Sequence, residues 1–567
     1  MRDTLRTLVV DAVRESMEAG QVALEGLPEV ELERPRDPAH GDWATNVALK
    51  SAKTAGVAPR VFAEAVAARI ADHPDVAAVE VAGPGFINIR LSDTALQRVV
   101  RDVRNAGADW GRTDAGGGRR VQVEFVSANP VGPMHVGHGR WAALGDSMSA
   151  VLEHSGWRVE REFYVNDAGV QMEIFAKSVA ARYLELTGHE TAFAKDWYQG
   201  AYITGIAREI LDAEGDVWAD ADAAERESHF KEVAYAQVLA HLERVLRDMG
   251  VEFDVWFSER TLHVLDADGR SAVDRGIDEL REAGHVYEAD GATWFRSTTF
   301  GDDKDRVLRK ADGEFTYFAA DVAYHRDKFE RGFDRVIDIW GADHHGYVAR
   351  MKAAAAALGH PGQLDVVIGQ LVTLLRNGEV VRMSKRTGEM VTFEELLDEV
   401  GADAARYFFL RRSTDQALDF DIGLAKQRSN DNPVYYVQYA HARICSILRK
   451  AAGLAADADI DASEVAEDLV GREPGLAVLT DPAELVLVRK IAEFPEVVEE
   501  AALALAPHKL PHYVEELAAS FHQFYTVCRV VTDDGPLTTA RLALIDAARL
   551  TFERALALLG VGAPERM

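Results

Sequence analysis

The spacing of apolar positions divides the chain into three regions of different character. Near the start, apolar residues recur every three to four positions, as on an amphipathic helix, and two strand-like runs follow around Gly83-Pro84-Gly85. This pattern predicts an N-terminal α+β domain over residues 1–112. The glycine-rich stretch Ala115-Gly116-Gly117-Gly118 then reads as a linker.

The middle region, residues 113–428, alternates strand-like apolar runs with helical periods. A helix is predicted over Trp141–His154, and strands are predicted at Val121–Val126, Val159–Val165, Arg335–Trp340 and Val366–Ile368. Such alternation is typical of an α/β domain with a mostly parallel sheet. A charged, helical stretch at about 175–265 is predicted to be an insertion rather than part of that sheet.

From residue 429 the strand signals stop, and alanine- and leucine-rich helical periods continue to Leu559. Asn432-Pro433 is a good helix start, because asparagine caps helices and proline suits their first turn. The region 429–567 is therefore predicted to be all-helical, with about five helices separated near Gly453, Gly475, Pro507 and Gly535.

Composition narrows the class of protein. A formal net charge of −30 disfavours indiscriminate binding to polyanions, but a locally positive face can still bind a specific RNA. Cys445 and Cys528 are too few for a disulfide framework or a four-cysteine zinc site. The start of the chain lacks a signal-peptide core, and no stretch approaches the ~20 apolar residues of a membrane span. We therefore expect a cytoplasmic enzyme without membrane contact or protein-bound zinc.

The segment Ser127–His138 is the first candidate for chemistry. A glycine-containing loop between a parallel strand and a helix offers backbone N–H groups to phosphate. His135 and His138, at the predicted helix start, suit the stabilisation of charge on transferring phosphate oxygens. Without a nearby cysteine a zinc site is disfavoured, whereas a purely structural role for the two histidines stays open.

The second candidate is Arg382-Met383-Ser384-Lys385-Arg386, on a predicted loop followed by Gly388. Lys385 in such a loop could neutralise the pyrophosphate of ATP as it leaves. The alternative is an ordinary solvated lysine. Because this segment occurs together with the histidine loop in one chain, a role for Lys385 in binding ATP is favoured over an ordinary surface lysine.

Two carboxylates point to a cationic substrate. Glu124 lies within an apolar strand, where an unpaired carboxylate is costly, so it either forms an internal salt bridge or binds a cation. Asp321 follows Tyr317 by four residues and is expected on the same helical face. Two carboxylates and an aromatic ring suit a planar guanidinium, through forked hydrogen bonds and stacking.

His135-Val136-Gly137-His138 and Arg382-Met383-Ser384-Lys385-Arg386 correspond to the His-Ile-Gly-His and Lys-Met-Ser-Lys-Ser signatures of class I aminoacyl-tRNA synthetases. Val136 conserves volume, while Arg382 keeps the charge of lysine with a different donor geometry. Over essentially its whole length the chain resembles the arginyl-tRNA synthetase family. The other segments that carry this resemblance are Gly41–Asn46, Gly83–Asn88, Glu124–Pro130, Tyr164–Gln171 and Asn432–Ile444.

The resemblance implies a Rossmann-like catalytic domain, an N-terminal domain that touches tRNA and a helical domain that binds the anticodon. It implies that the carboxylate of L-arginine attacks the α-phosphorus of ATP, supplied with Mg²⁺, to give arginyl-adenylate and pyrophosphate. Arginine then passes to the 2′-hydroxyl of the terminal adenosine of arginine tRNA, and AMP leaves. Bound tRNA is expected to promote the first step, and we expect a monomer.

Site residues follow from the resemblance. The implied catalytic residues are His135, His138 and Lys385. The implied ATP contacts are Pro133, Gly137, His138, Met383, Ser384 and Lys385. The implied arginine contacts are Glu124, Ser127, Asn129, Tyr317, Asp321 and His344. His344 stands near a position where relatives usually carry glutamine, so a supporting or core role for His344 or His345 stays open.

The C-terminal aromatic residues have two interpretations. Their spacing suits a helix-bundle core, while the resemblance implies that some rings stack on tRNA bases; these residues are Tyr435, Tyr436, Tyr439, Phe521, Phe524 and Tyr525. Tyr435, Tyr439 and Arg443 are predicted to bind tRNA, and Arg449 and Lys450 are further candidates for phosphate contacts. Asp403-Ala404-Ala405-Arg406 approximates the family's Asp-Ala-Leu-Arg sequence and is predicted to be structural.

Two other functions fit part of the sequence. A nucleotidylyltransferase could share both signatures but would not need the helical region. A catalytically silent RNA-binding relative is the second, and intact His135, His138 and Lys385 argue against it.

Overall fold

The computed structural model of the chain describes residues 1–35, 37–376, 378–381, 391–471 and 474–567. The first elements are α1 (Arg2–Glu18), β1 (Trp43–Thr45), α2 (Val47–Ala55), α3 (Pro59–Ile70), β2 (Val76–Ala82), β3 (Phe86–Leu91) and α4 (Asp93–Ala106). The strands form an antiparallel sheet in the order β1–β3–β2. Its core contains the fully buried side chains of Phe62, Ile87 and Ile89.

The middle of the chain begins with a strand, a helix and a second strand: β4 (Arg120–Glu124), α5 (Val136–His154) and β5 (Arg158–Val165). Three long helices and a third strand follow: α6 (Val170–Leu186), α7 (Ala201–Glu214), α8 (Ala223–Asp248) and β6 (Val255–Ser258). The next elements are α9 (Arg260–His263), α10 (Ala272–Glu282), β7 (Val286–Ala289), β8 (Ala292–Phe295), β9 (Arg306–Arg309), α11 (Tyr317–Glu330) and β10 (Arg335–Gly341). After these come α12 (Val348–Ala357), β11 (Leu364–Gly369), β12 (Val372–Arg376), β13 (Glu379–Val380), α13 (Phe393–Val400), α14 (Ala402–Leu410), β14 (Leu418–Asp421) and α15 (Ile422–Ala425).

Five of these strands form one parallel sheet in the order β11–β10–β4–β5–β6. The chain moves outward from β4 through β5 to β6 and later returns to β10 on the other side of β4. This reversal places a crevice at the carboxyl ends of β4 and β10, which is where open α/β sheets bind their ligands. The other strands form two small sheets, β7–β8–β9 and β13–β12–β14.

The predicted parallel α/β sheet is thus confirmed, with three differences in detail. β4 ends at Glu124 rather than Val126, because Val126 and Ser127 turn out of the strand with φ of 69° and 41°. α5 begins at Val136, ahead of the predicted Trp141. β6 lies within the stretch predicted to be a helical insertion, because the short run Val255–Ser258 pairs with β5 at the edge of the sheet.

The last part of the chain contains α16 (Pro433–Ala451), α17 (Ala462–Val470), α18 (Pro482–Ala492), α19 (Phe494–Leu503), α20 (Lys509–Val527) and α21 (Gly535–Leu558). The described residues from 433 onward thus contain six α-helices, one more than the expected number. The additional boundary lies between Ala492 and Phe494, where Pro495 sits in the first turn of α19. Across the described residues, no helix is both long and apolar enough to cross a bilayer.

A buried arginine joins the helical part to α5. The Arg406 side chain, in α14, is fully buried and forms an ion pair with Asp146 of α5. It also donates to the carbonyl oxygens of Leu559 and Met249, over 2.9 and 3.2 Å. The predicted structural role of Asp403–Arg406 therefore has a physical basis, since Asp403 in turn accepts from Gln438 of α16 over 2.7 Å.

Candidate active site

The two histidines of the first motif lie together at the start of α5. His135 is the N-cap residue, and its backbone N–H donates to His138 Nδ1 over 3.2 Å. The two imidazole rings stack with centroids 3.7 Å apart. Both rings therefore sit at a helix N-terminus beyond the carboxyl end of β4, where backbone N–H groups and the helix dipole favour phosphate.

Trp141 supports the histidine pair from one turn further along α5. Its indole meets the rings of His135 and His138 edge-on, at centroid distances of 5.9 and 5.4 Å. Two glycines at the carboxyl ends of β10 and β11 leave space for it. A Cβ on Gly341 would lie 3.1 Å from the indole, and one on Gly369 would lie 2.3 Å from Nε1. The absence of side chains at these two glycines therefore sets the position of the tryptophan.

The loop before the histidines is held by contacts from distant segments. Tyr202 donates its hydroxyl to the carbonyl oxygen of Val131 over 2.8 Å, and its ring leaves no room for a side chain at Gly132. On the other side, the Phe393 N–H donates to the carbonyl oxygen of Met134 over 2.9 Å. Pro133 lies between these two anchors, half-buried.

The second motif lies outside the described residues. This applies to the predicted Met383, Ser384 and Lys385, which fall within the undescribed residues 382–390. The next residues of the chain return to the first motif, because Thr392 forms a β-bridge with His135. The described chain on the C-terminal side of the second motif is therefore paired with the backbone of His135.

Arg140 connects α5 to two other loops. Its side chain is fully buried, and Nη1 donates to the carbonyl oxygens of Gln370 and Gln416 over 2.8 and 3.0 Å. Nη2 donates to the carbonyl oxygen of Ser413 over 2.9 Å. Burial lowers the pKa of Arg140 to about 10, and Asp415 partly opposes that shift. The guanidinium nevertheless stays charged near neutral pH and ties three chain segments together.

Glu124, the last residue of β4, forms the internal salt bridge that was one of its two predicted roles. Lys328 Nζ donates to its Oε2 over 2.5 Å, and Ser127 Oγ donates to its Oε1 over 2.9 Å. Burial raises the pKa of Glu124, while Lys328 opposes the increase. Each carboxylate oxygen can accept a second hydrogen bond, so the salt bridge does not prevent Glu124 from also binding a substrate cation.

Asp321 and Glu259 contribute two more carboxylates to the same region. The Tyr347 hydroxyl donates to Asp321 Oδ2 over 2.5 Å, yet burial raises the pKa of Asp321 to about 6. The carboxylates of Glu259 and Glu124 act on Asp321 in the same direction as burial. The Tyr164 hydroxyl bonds to Glu259, and burial raises the pKa of that hydroxyl. Three acidic groups thus surround a region that attracts a cation.

A cleft of about 680 Å³ lies beside these carboxylates. Glu259 and Tyr317 line it, and the Tyr317 side chain is 70% exposed. Tyr317 and Asp321 both lie in α11, four residues apart, which is the helical arrangement that their spacing predicted. The cleft can therefore hold a small substrate with a cationic end next to buried carboxylates and an accessible aromatic ring.

The remaining predicted arginine contacts lie on exposed loops. Asn129 is exposed, and its Nδ2 donates to Gln171 Oε1 over 3.0 Å. His344 and His345 are also exposed, in the turn that follows β10. Because both histidines are exposed, a core role is wrong for either of them.

In the helical part, the aromatic residues divide into two groups. Phe521 and Phe524 are fully buried and belong to the core. By contrast, Tyr435 and Tyr439 of α16 are half-buried and stack on each other with centroids 6.1 Å apart. The Arg443 guanidinium carbon lies 5.9 Å from the Tyr439 ring centroid. Together these three residues form an accessible surface of two stacked rings and one cation.

Arg449 does not belong to that surface. Its side chain is fully buried, forms an ion pair with Glu565 and donates to the carbonyl oxygen of Ile460. The suggested phosphate contact is therefore wrong for Arg449, because its charge is used inside the protein. Lys450, the next residue, is exposed.

Sequence reasoning missed several residues of the site. Asp338 could have been found, because it is a carboxylate within an apolar strand, which is the same signal that pointed to Glu124. Lys328, Glu259 and Tyr347 carried no comparable signal, because charged and aromatic residues are common on helices and loops. Among the residues that the structure describes, no three His, Cys, Asp or Glu side chains are grouped to hold a metal ion.

Comparison with known proteins agrees with this architecture. Residues 107–422 match the family described as tRNA synthetases class I (R), catalytic domain. Residues 3–91 match the arginyl tRNA synthetase N terminal domain, and residues 437–567 match the DALR anticodon binding domain. The parallel sheet, the histidine pair at the start of α5 and these matches define a class I aminoacyl-tRNA synthetase.

Comparison with individual relatives identifies the family within this class. The chain is 49% identical to the arginine–tRNA ligase of Moorella thermoacetica, over 99% of this chain and 98% of that protein. It is 48% identical to the arginine–tRNA ligase of Desulfosudis oleivorans, with both proteins covered completely. The chain belongs to the arginyl-tRNA synthetase family. It shares its fold with the solved arginyl-tRNA synthetase of Thermus thermophilus, at a TM-score of 0.74, 21% identity and full coverage of both chains.

Proposed function

We propose that this protein ligates L-arginine to arginine tRNA. Arginine first reacts with ATP to form arginyl-adenylate and pyrophosphate. The 2′-hydroxyl of the terminal adenosine of the tRNA then attacks the activated carbonyl and releases AMP. Family membership supports this reaction, and the observation that carries the choice of amino acid is the half-buried Asp321 carboxylate, which lies near the carboxylates of Glu124 and Glu259.

In the first step, the arginine carboxylate attacks the α-phosphorus of ATP, which enters as its Mg²⁺ complex. His135 and His138 are proposed to stabilise the charge that develops on the phosphate oxygens, since both rings lie at the N-terminus of α5. Backbone groups around Pro133 and Gly137 would contact the nucleotide. Lys385, with Met383 and Ser384, is proposed to neutralise the departing pyrophosphate.

Recognition of arginine is proposed to depend on charge and shape together. Asp321 and Glu124 would accept hydrogen bonds from the guanidinium, with Glu259 as a third carboxylate. The Tyr317 ring would pack against the substrate side chain. Ser127 holds the Glu124 carboxylate, and Asn129 would bind the α-amino end. The exposed position of His344 supports at most a contact at the edge of the pocket.

Contacts with tRNA are proposed at both ends of the chain. The helical region 429–567 would bind the anticodon, with Tyr435 and Tyr439 stacking on bases and Arg443 contacting phosphate. The N-terminal region 1–112 would touch another part of the tRNA. These two regions precede and follow the catalytic region 113–428 in the chain. We also propose that the enzyme acts in the cytoplasm and that it is a monomer. Sedimentation of the purified protein tests the oligomeric state.

ATP–pyrophosphate exchange with each amino acid, with and without tRNA, tests this function. We expect exchange with arginine alone, and stronger exchange when arginine tRNA is present. Exchange with a different amino acid would contradict the assignment of the guanidinium site. No exchange under any condition would favour a catalytically silent RNA-binding protein, and exchange without amino acid or tRNA specificity would favour a nucleotidylyltransferase.

The variant Asp321→Asn tests the pocket directly. It should raise the KM for arginine far more than the KM for ATP, because it removes a carboxylate that faces the guanidinium. Glu330→Gln is the matched control, since Glu330 is an exposed carboxylate at the other end of α11 that pairs with Arg326. If Asp321→Asn changes the KM for arginine and the KM for ATP equally, the assignment of Asp321 to the arginine pocket is contradicted.

A further inference from the structure

Three buried carboxylates lie side by side in the parallel sheet. Asp338 of β10 pairs in register with Glu124 of β4, and Glu124 pairs in register with Glu162 of β5. The residues are 0%, 7% and 0% exposed, respectively. Adjacent buried carboxylates repel one another and are costly to desolvate, so cations must lie close to them.

Lys328 of α11 is the cation shared by two of these acids. Its ammonium donates to Glu124 Oε2 over 2.5 Å and to Asp338 Oδ1 over 2.8 Å. The Lys328 side chain is itself fully buried. Burial opposes its charge, but Asp338 and Glu124 outweigh burial and raise the pKa of Lys328. Lys328 is therefore held as a cation between the two carboxylates.

Other residues of α11, and the residue that directly follows it, extend this arrangement. Arg331 directly follows α11 and donates to Glu162 Oε2 over 2.6 Å, while the Tyr324 hydroxyl also donates to Glu162. His325 Nε2 lies 2.8 Å from Asp338 Oδ2. One face of α11 is thus matched to the row of acids, and this fixes the position of the helix along the sheet.

That position matters for the substrate pocket, because Asp321 lies on the same helix about two turns before Lys328. His325 Nδ1 is 2.8 Å from the backbone carbonyl oxygen of Asp321, which links the pocket end of the helix to the ionic cluster. Any shift of α11 against β4 would change the separation of the Asp321 and Glu124 carboxylates. These are the two carboxylates proposed above to bind the guanidinium.

We propose that Lys328 is a positioning residue for arginine recognition, and that its ammonium fixes both the Glu124 carboxylate and the register of α11 against the sheet. Lys328 does not touch the substrate in this arrangement. It sets the spacing and charge of the two carboxylates that do. The inference rests on the proposed function, since it assigns a supporting residue to the same pocket.

The physical consequence of removing Lys328 is specific. Glu124 would remain buried next to Asp338 without its closest cation, and a carboxyl group in that situation binds a proton more readily. A protonated Glu124 is a weaker partner for a guanidinium than a carboxylate. The titratable groups that face Glu124 from the packed elements are Lys328, His325 and Tyr324 of α11, Asp338 of β10, Glu162 and Tyr164 of β5, and Asp321.

Steady-state kinetics of Lys328→Met test the proposal. We expect the KM for arginine to rise by about tenfold or more, with the KM for ATP within about twofold, because a protonated Glu124 no longer makes a charge-assisted contact with the guanidinium. The arginine kcat/KM of the variant should also increase toward alkaline pH, as Glu124 ionises. The wild-type enzyme should lack this added alkaline increase.

A second variant separates charge from packing. Lys328→Met combined with Asp338→Asn removes one positive and one negative charge, so Glu124 ionises more easily and the arginine KM should move back toward the wild-type value. Arg541→Met is the matched control, since Arg541 pairs with buried Glu484 over 2.7 Å in the helical region. It should lower thermal stability without a selective change in the arginine KM.

The proposal is overturned if Lys328→Met raises both KM values equally, or leaves both unchanged. If that variant does not fold, Lys328→Arg replaces it, since it keeps the charge but moves it. A selective increase in the arginine KM then supports the proposal, and no selective change overturns it. Failure of wild-type enzyme to activate arginine would instead contradict the proposed function, so the two failures are distinguishable.

Discussion

Gly369 and Trp141 fit together so closely that a Cβ at Gly369 would lie 2.3 Å from the indole Nε1. The glycine ends β11 and the tryptophan lies one turn into α5, so the contact joins the sheet edge to the histidine helix. The same indole packs edge-on against His135 and His138. A backbone position without a side chain thereby helps to set the orientation of two imidazoles.

We expect Gly369→Ala to reduce the rate of arginine activation by about tenfold or more, because a small displacement of catalytic groups costs this much. The new methyl must displace the indole, which is rigid, and the indole in turn displaces the histidine rings. Single-turnover formation of arginyl-adenylate measures the effect.

Gly205→Ala is the matched control for that variant, since a Cβ at this position in α7 would meet nothing within 4 Å apart from its chain neighbours and the adjacent backbone of its own helix. It should leave the rate unchanged. Combining Gly369→Ala with Trp141→Phe, which removes the clashing indole nitrogen, should recover part of the loss. If Gly369→Ala alone retains full activity, Trp141 does not orient the histidines.

Arg140→Met should lower the free energy of unfolding by about 3 kcal/mol, since three carbonyl oxygens lose a buried, charged donor. Urea unfolding followed by circular dichroism measures this change. Arg412→Met is the control, because Arg412 is exposed and lies next to the same loop. Its effect should stay within about 0.5 kcal/mol. Similar losses for both variants would show that the carbonyl contacts of Arg140 contribute little.

The pH dependence of kcat/KM for arginine should reflect the ionisation of the Asp321 carboxyl group. Its carboxyl has a pKa raised to about 6, so it is ionised above that pH and increasingly protonated below it. We therefore expect kcat/KM for arginine to fall by about tenfold per pH unit below the pKa, because the protonated form does not pair with a guanidinium. The corresponding value for ATP should change less over the same interval.

Asp321→Asn supplies the control for this pH dependence, since an amide does not titrate. The variant should have a low kcat/KM for arginine at every pH, and its pH profile should lack the inflection near pH 6. If the inflection persists in the variant, another group is responsible for it.

The aromatic surface on α16 makes a prediction for tRNA. Tyr439→Ala should raise the Kd for arginine tRNA by about tenfold, since stacking of a base on an aromatic ring contributes about 1–3 kcal/mol. Arg443→Met should reduce the salt dependence of tRNA affinity by about one unit of slope, which is the effect of one phosphate contact. Filter binding at several salt concentrations measures both changes.

Tyr287→Ala is the control for the tRNA variants, because Tyr287 is a half-exposed ring on β7, in a different part of the chain. It should leave tRNA affinity unchanged. Equal weakening by Tyr287→Ala and Tyr439→Ala would mean that the α16 surface is not a specific contact.

Much of this molecule can be predicted from local sequence. Hydrophobic periodicity indicates the parallel sheet and the helical C-terminal region, because both patterns repeat over short distances along the chain. The histidine pair is recognisable for the same reason, since strand, loop and helix start are consecutive. Glu124 stands out because a carboxylate within an apolar strand is energetically unusual.

Other features could not be predicted because they depend on contacts between distant segments. β6 is a strand only because it pairs with β5, and its four residues are too few for a periodic signal. The left-handed conformations of Val126 and Ser127, unusual for a β-branched and a polar residue, require the surrounding fold to hold them. Arg449 looked like any surface cation until the fold placed Glu565 against it.

The sequence by itself determined the class of fold, the family and the identity of the residue types at the site. Only the tertiary structure decided how those residues are combined, because the register between β4, β10 and α11 brings Glu124, Asp338 and Lys328 together. Local patterns specify which faces are buried, whereas ionic contacts in the interior depend on long-range packing. That packing converts Glu124 from a lone acid in a strand into part of a balanced cluster beneath the proposed arginine pocket.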